Sequence, residues 1–489
     1  MRRLRLALLA LAAALVLLAA ALTIAALAQP STQVPPEAPA PLELDEEAAI
    51  EHLAAAIRLQ TIAAESPAQL RGEPFRAAHD LLVRAYPCLH RQAAREVVAD
   101  YSLLYTWEGS DRERAPGLLL AHLDVVPVED PERWSHPPWS GEVADGQIWG
   151  RGAHDDKGGA VAILEAAEAL CAAGFAPART LYFAIGHDEE VASVGAKAIA
   201  ALLRERGVRP EFALDEGMII TDSTFPELAP VALIGVAEKG FLSVELRVTV
   251  ADGHSSMPPR ESAPGILAAG LARLEADPFP YELRSPAREL LTTLAPEFPF
   301  AKRLLLSNLW LTAPLVTDVF AAADRSRALL HTTTAITRVR AGVKENSLPL
   351  EAAAIVNFRI LPGDSVDGVV ARTREVLADP RIEVSVRDVT APSEPSPIAA
   401  SDSPTYAALA AAVRAVRPEV LVTPALMVAR TDSVHYSDLV ANTYRFRPIQ
   451  LDAAEIAGIH GTDEHVHTAA LIDAIRIYAE FLRRVAGPA

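Results

Sequence analysis

RTLYFAIGHDEEVASVGAKAIAALLRERG, residues 179–207, is the stretch whose reading decides the fold. Leu181 to Ile185 is an unbroken apolar run of the kind that suits a strand covered on both faces. It ends at Gly186 and His187, and three acids follow at once: Asp188, Glu189 and Glu190. Beyond them the apolar residues recur at helical spacing until Gly207 closes the pattern. A buried strand that feeds a helix through a short turn is the unit of an α/β sheet. Three adjacent carboxylates repel one another, so the turn either faces water or meets a positive charge.

The same alternation extends outward. GLLLAHLDVVPV (117–128) reads as a buried strand, and GGAVAILEAAEALCAAGF (158–175) as a helix ending at Gly174. PEFALDEG (210–217) reads as another strand. Strand, helix, strand, helix, strand predicts a mostly parallel sheet, with ligands gathered beyond the carboxyl ends of its strands.

The texture changes near residue 238. FLSVELRVTV (241–250), SAPGILAAGLARLEA (262–276), HTTTAITRVRAG (331–342), LEAAAIVNFRIL (350–361), SVDGVVARTREVLA (365–378) and RIEVSVRDV (381–389) give the order β-α-β-β-α-β. That order predicts a small α+β domain inserted into the larger one and interrupted by a helical insertion over about 281–327. The expected organisation has five parts. Residues 1–28 form a membrane anchor or signal peptide, and 29–43 a Pro-rich linker. Residues 44–237 and 396–489 form the two parts of the larger α/β domain, and 238–395 form the inserted one.

At the N-terminus, three early arginines precede an uncharged apolar run from Leu6 to Ala28, long enough to span a bilayer. Such arginines keep the N-terminus cytoplasmic and put the body in the periplasm or outside the cell. Ala26-Leu27-Ala28 also offers a signal-peptidase pattern, so secretion after cleavage is the competing expectation. The net charge of −18, with no basic run after Arg5, argues against a nucleic-acid partner. Two cysteines cannot form a disulfide framework. Cys171 sits in an apolar helical pattern as a buried, inert thiol would, and a single bridge to Cys88 stays open.

Potential metal ligands recur at the strand ends. The first run ends in His122-Leu-Asp124, and residues two apart share a strand face, so Asp124 can hydrogen-bond the imidazole. In IWGRGAHDDKGG (148–159), Asp155 falls just before a helix, where a carboxylate is favoured in any case. Glu189 and Glu190 follow the second run, and Asp215-Glu216 the third. Each has an ordinary structural explanation alone; together they place carboxylates in one crevice, where one or two divalent cations would balance them. Mixed His, Asp and Glu donors suit zinc. His460, His465 and His467 offer the late histidine that such a set needs.

These segments resemble the co-catalytic zinc metallopeptidases that include aminoacylase, glutamate carboxypeptidase and carboxypeptidase S. AHLDVVPV, GRGAHDDKGG, GHDEEV, ALDEG and IHGTDEHV occur in that family's order. DGHSSMPP, TTTAITRVRAGVKENSLP and NFRILPGDS are similar to the carboxypeptidase S branch and its secreted N-acyl-amino-acid hydrolase relatives. The resemblance implies two Zn2+ per subunit, with Co2+ or Mn2+ as substitutes. Asp155 would bridge them, with His122 on one metal and Glu190 and His460 on the other. The terminal carboxylate on the His122 metal would be Asp215 or Glu216, with Asp215 preferred. Asp124 would orient His122, and Glu189 would be the general base. The family often has a cis peptide between the residues matching Asp155 and Asp156.

The resemblance further implies that 44–237 and 396–489 form the catalytic domain and 238–395 a lid and dimerisation domain, with a homodimer formed through the lid and His254 reaching a partner's site to stabilise an oxyanion. Asn346 and Arg359 would hold the substrate carboxylate. The chain departs from the family's pattern at Ala429-Arg430-Thr431-Asp432, where relatives tend to have Gly-Gly-Thr-Asp. The implied reaction is cleavage of the amide before a C-terminal amino acid, in a short peptide or an N-acyl amino acid. Reversible synthesis of N-acyl amino acids is the alternative within enzymes, and an inactive relative serving as a binding module is the alternative outside them. A serine-hydrolase reading fails for want of a Gly-x-Ser-x-Gly elbow.

Overall fold

The structure is a computed structural model that describes residues 2–64, 66, 69–251, 253–387 and 391–488. It resolves into two compact units. The larger comprises Gln33–Ala237, Pro397–Met427 and Thr431–Ala489, and the smaller Met1–Thr32, Glu238–Ser396 and Val428–Arg430.

The larger unit is built on an eight-stranded sheet. Its strands run in the order Ala94–Val98, Ser102–Trp107, Leu181–Gly186, Gly117–His122, Phe212–Thr221, Asn442–Gln450, Val231–Glu238 and Leu421–Met427. The four strands from Leu181–Gly186 through Asn442–Gln450 are mutually parallel, while the first two strands pair antiparallel at one side. Period-two alternation divides their side chains between two cores. Leu119, Ala121, Phe183, Ile185 and Leu214 pack on one face with Val161, Leu164, Leu409, Ile475 and Phe481. Leu118, Leu120, Ala184 and Ala213 pack on the other with Ala196, Ile199 and Leu203. Covered on both faces, the strands need apolar residues at every position, which is why they read as continuous runs rather than alternating ones.

Two sequence expectations are sharpened here. The strand expected over 117–128 stops at His122, and the one expected to end at Gly217 runs on to Thr221. Cys88 and Cys171 are joined in a disulfide 83 residues apart in sequence. The bridge ties the short helix Pro87–Gln92 to the buried helix Lys157–Ala172, so Cys171 is not a free thiol. Closing a loop of that length removes freedom from the unfolded chain, a gain of about 4 kcal/mol in the chain-entropy picture.

The smaller unit carries the expected β-α-β-β-α-β order. Its sheet is four-stranded: Thr333–Ala341, Glu351–Ile360, Gly240–Thr249 and Glu383–Val386, antiparallel throughout. Residues 388 and 389 of the last expected strand, and Asp252 of the DGHSSMPP motif, lie outside the described residues. Helices Ala263–Ala276 and Val366–Leu377 cover one face, burying Leu242, Val244, Leu246, Val356 and Phe358. The segment between the first helix and the second strand of this unit holds the helices Ala287–Leu294, Phe300–Leu306 and Leu309–Ala321. It packs against the end of the N-terminal helix Arg2–Ala28.

Candidate metal centre

Every residue of the centre belongs to the larger unit. His122 is the last residue of its strand, in register with Gly186 of the neighbouring one. A Cβ on Gly186 would stand 3.0 Å from Asp432 Oδ2 and 3.3 Å from His122 Cβ, so this strand end must stay bare for the imidazole to fit. His122 Nδ1 lies 3.0 Å from the Asp124 carbonyl oxygen and 3.3 Å from Asp124 Oδ1. Donation there leaves Nε2 as the free lone pair. His122 Nε2 is buried and makes no hydrogen bond among the described residues, yet it faces Asp155 Oδ1 and Glu216 Oε1, each at 3.4 Å. The other Asp155 oxygen is 3.2 Å from His460 Nε2, which in turn lies 3.1 Å from Glu190 Oε1. Asp155 therefore stands between two imidazoles, each with its own second carboxylate.

The acidic turn is organised by Asp124 and Asp188. Asp124 accepts the Glu189 amide at 3.1 Å and the Glu190 amide at 3.0 Å, so both of these residues are oriented from the carboxylate that orients His122. Asp188 accepts the Val194 and Gly195 amides at the start of helix Val194–Glu205. Of the three acids that open the turn, Asp188 is thus a helix cap and the other two are free for chemistry.

The third strand end differs from the sequence preference. Arg445 pairs with Asp215 and Phe446 with Met218, which leaves Glu216 and Gly217 as extra residues on the Phe212–Thr221 strand. Gly217 takes φ +127°, open to glycine and hardly to other residues. The bulge re-aims the chain so that Glu216 reaches His122. Asp215 instead accepts the amides of Glu216 at 2.9 Å and Ser433 at 2.8 Å. The geometry brings Glu216, not Asp215, to His122.

The Asp155–Asp156 peptide is cis. Three residues that carried no sequence expectation hold the loop around it. Glu464, fully buried, accepts the amides of His154 at 2.9 Å, Asp155 at 3.0 Å and Gly152 at 3.0 Å. It also pairs with Arg151 at 2.6 Å. Arg447, buried in its strand, donates to the His154 carbonyl, to Asp156 Oδ1 at 2.7 Å and to His154 Nδ1 at 2.7 Å. His154 is the acceptor for that guanidinium. Burial and the Arg447 charge hold its pKa well below the usual imidazole value.

The electrostatics ask for cations. Burial alone would lower the basicity of His122, but Asp124, Asp155 and Glu216 raise its pKa well above the ordinary value. His460 is raised to about 10 by its hydrogen bonds with Asp155 and Glu190. Burial pushes the carboxyl groups of Glu189 and Asp156 well up, and burial with Asp215 alongside lifts Asp432 to about 8. Crowded carboxylates that recruit protons in this way are those a divalent ion would relieve. The orphaned His122 Nε2 and the His/Asp/Glu donors fit such an ion: His122 is shared by two compact donor groups, one with Asp155 and Glu190 and the other with Asp156 and Glu216, and His460 stands at the far side of Asp155.

The remaining expected residues lie in the smaller unit. The short ladder Gly253–His254 with Ser347–Leu348 brings His254 beside Asn346, whose carbonyl accepts the Ser255 amide at 3.4 Å. His254 is exposed, its Nδ1 2.7 Å from Ser256 Oγ. The Arg359 guanidinium lies 4.9 Å from the centre of the Phe241 ring, and burial together with Arg430 lowers its pKa.

Residues 118–484 match peptidase family M20/M25/M40. The chain is 40% identical over 422 residues to the probable carboxypeptidase S-like 2 of Dictyostelium discoideum, covering 85% of this chain and 81% of that one. It is 40% identical over 441 residues to the N-fatty-acyl-amino acid synthase/hydrolase PM20D1 of Bos taurus, covering 88% and 87%. In fold it matches an M20 family metallo-carboxypeptidase from Sulfolobus solfataricus, with a TM-score of 0.67 at 17% identity over 89% of this chain and 98% of that one. Motif order, fold and likeness agree over most of the length, and the chain belongs to peptidase family M20/M25/M40, a hydrolytic enzyme with a candidate metal centre at the end of its parallel sheet.

Proposed function

We propose that the chain is a two-zinc amidohydrolase that releases a C-terminal amino acid from N-acyl amino acids or short peptides. The observation that carries the reading is Asp155 set between His122 and His460, with Glu216 and Glu190 completing the two sides. His122 and Glu216 would hold one ion, His460 and Glu190 the other, and Asp155 both. The bound ions would supply Lewis-acid activation of water and of the amide carbonyl.

The chain's own residues do the rest. Glu189 takes the proton of the attacking water on a carboxylate oxygen and returns it to the leaving nitrogen. Asp124 fixes the His122 tautomer and the turn that carries Glu189. His254, supplied across a homodimer formed by the smaller unit, donates to the oxyanion. Arg359 and Asn346 hold the free carboxylate of the substrate, with Arg430 adding positive charge beside Arg359. Reversal of the same chemistry would make N-acyl amino acids, a reading favoured by likeness to a synthase/hydrolase over 88% of the chain.

The body is read as facing the periplasm or exterior, held by an uncleaved N-terminal helix. Ala26, inside the alternative cleavage pattern, is fully buried, and its carbonyl accepts Arg303 Nε at 2.6 Å. The disulfide suits an oxidising compartment.

The deciding experiment assays the purified full chain on N-acyl amino acids and Gly-X dipeptides, in both directions, before and after chelation. Hydrolysis lost to the chelator and restored by zinc is expected; metal-loaded protein inert on both substrate classes would leave only the binding-module reading. A second result separates the third-strand acids. Glu216→Ala should cut the metal content from two ions to one per chain, while Asp215→Asn keeps two. The opposite pattern by elemental analysis would restore Asp215 as the ligand.

A further inference from the structure

We infer that the helical insertion of the smaller unit is a second membrane contact: helix Leu309–Ala321 lies in the headgroup region of the outer leaflet, beside the emerging end of the N-terminal helix. The inference rests on the reading of that N-terminal helix as a retained anchor. The helix wears its apolar residues outward. Trp310, Leu311, Leu315 and Val319 are 69%, 45%, 53% and 62% exposed, while its buried positions are few. With Pro314 and Asp318 they fall at positions 310, 311, 314, 315, 318 and 319, one continuous face of a helix, on which Asp318 is the sole charge. A helix on a water-facing surface shows the opposite arrangement, and a contiguous patch of this kind marks an interaction site.

The bilayer is the occupant because of where the helix sits. The N-terminal helix is long and apolar enough to cross a membrane, and its spanning stretch is wholly unburied. Its final turns are docked on the helical insertion. Arg303 donates to the carbonyls of Ala26 and Gln29, capping the helix end, and Asn308 Nδ2 donates to the Leu22 carbonyl at 3.1 Å. Asn308 immediately precedes Leu309, so the apolar face starts level with the last turns of the span. At 13 residues the helix is too short to cross, and it is bent 111° from its partner Phe300–Leu306. A short helix with an apolar face and a tryptophan near its start, fixed at the end of a span, suits the interface plane.

The test uses the full chain in phosphatidylcholine–phosphatidylglycerol vesicles with brominated acyl chains. Trp310 is the reporter, since Trp107, Trp134, Trp139 and Trp149 all belong to the larger unit. Bromine should quench most of the emission that Trp310 contributes, and the quenching should vanish in Trp310→Phe. Alkaline carbonate extraction is run on the same vesicles. Protein that resists extraction but leaves Trp310 unquenched and open to acrylamide overturns this inference alone. Release of the chain by carbonate overturns the anchor reading instead. Shielding of Trp310 that depends on protein concentration in detergent, without bromine quenching, would assign the face to a second copy and overturn the bilayer.

Discussion

Glu189→Gln should lower the rate of amide hydrolysis by about 10²–10⁴-fold, the usual contribution of a positioned general base. The loss should fall on kcat, with KM nearly unchanged and both metal ions retained. Glutamine keeps the size of the side chain and still donates its backbone amide to Asp124 Oδ1, so the turn and the orientation of Glu190 are preserved. Only the ability to accept a proton goes. Burial has already raised the proton affinity of the Glu189 carboxyl, which favours it over a solvent-exposed acid as the group that takes and returns a proton. Steady-state kinetics paired with elemental analysis checks the result. Activity within a few-fold of the parent, with two ions bound, would remove Glu189 from the mechanism. Loss of the ions together with activity would make it a ligand instead.

The part of this centre that could be read from sequence is the part encoded locally. His122, Glu189 and Glu190 stand directly after apolar runs, and Asp155 stands in a glycine-rich turn before a helix, so each announces a strand or turn end. The choice between Asp215 and Glu216 was not legible, because the answer depends on a bulge in the pairing with Asn442–Gln450, a strand more than 200 residues away. Arg447 and Glu464 were missed for a related reason. Arg447 looks like an alternating surface residue in NTYRFRPIQ, yet seven consecutive positions of that strand are buried. A buried-strand reading would have turned its two arginines into a demand for acids, and one such acid, Asp156, lies 291 residues away. The disulfide was likewise undecidable, since pairing Cys88 with Cys171 is a fact about how a short helix packs on a long one.

Glu464 should prove as costly to remove as any ligand, although it is not itself one of the proposed ligands. Glu464→Ala strips one partner from a fully buried ion pair with Arg151 and leaves the amides of Gly152, His154 and Asp155 without an acceptor. Breaking a buried pair from one side costs about 3–5 kcal/mol, because the remaining charge stays buried and unpaired. Among the described residues, the Arg151 guanidinium keeps the Gly461 carbonyl at 2.7 Å and the face of Trp134 at 5.2 Å as compensation. The chemical consequence follows from position: two of the three amides Glu464 holds belong to Asp155 and the residue before it, and Glu464 itself lies four residues after His460. One carboxylate thus ties the proposed bridging ligand to the loop that supplies the second histidine. Equilibrium denaturation of the disulfide-intact chain should show the stability loss, and elemental analysis should show fewer than two ions per chain. Arg151→Met combined with Glu464→Met should recover much of the stability, since an apolar pair leaves no buried charge, but not the metal content. A Glu464→Ala chain that keeps both its stability and two bound ions would mean that the loop is held by Arg447 alone.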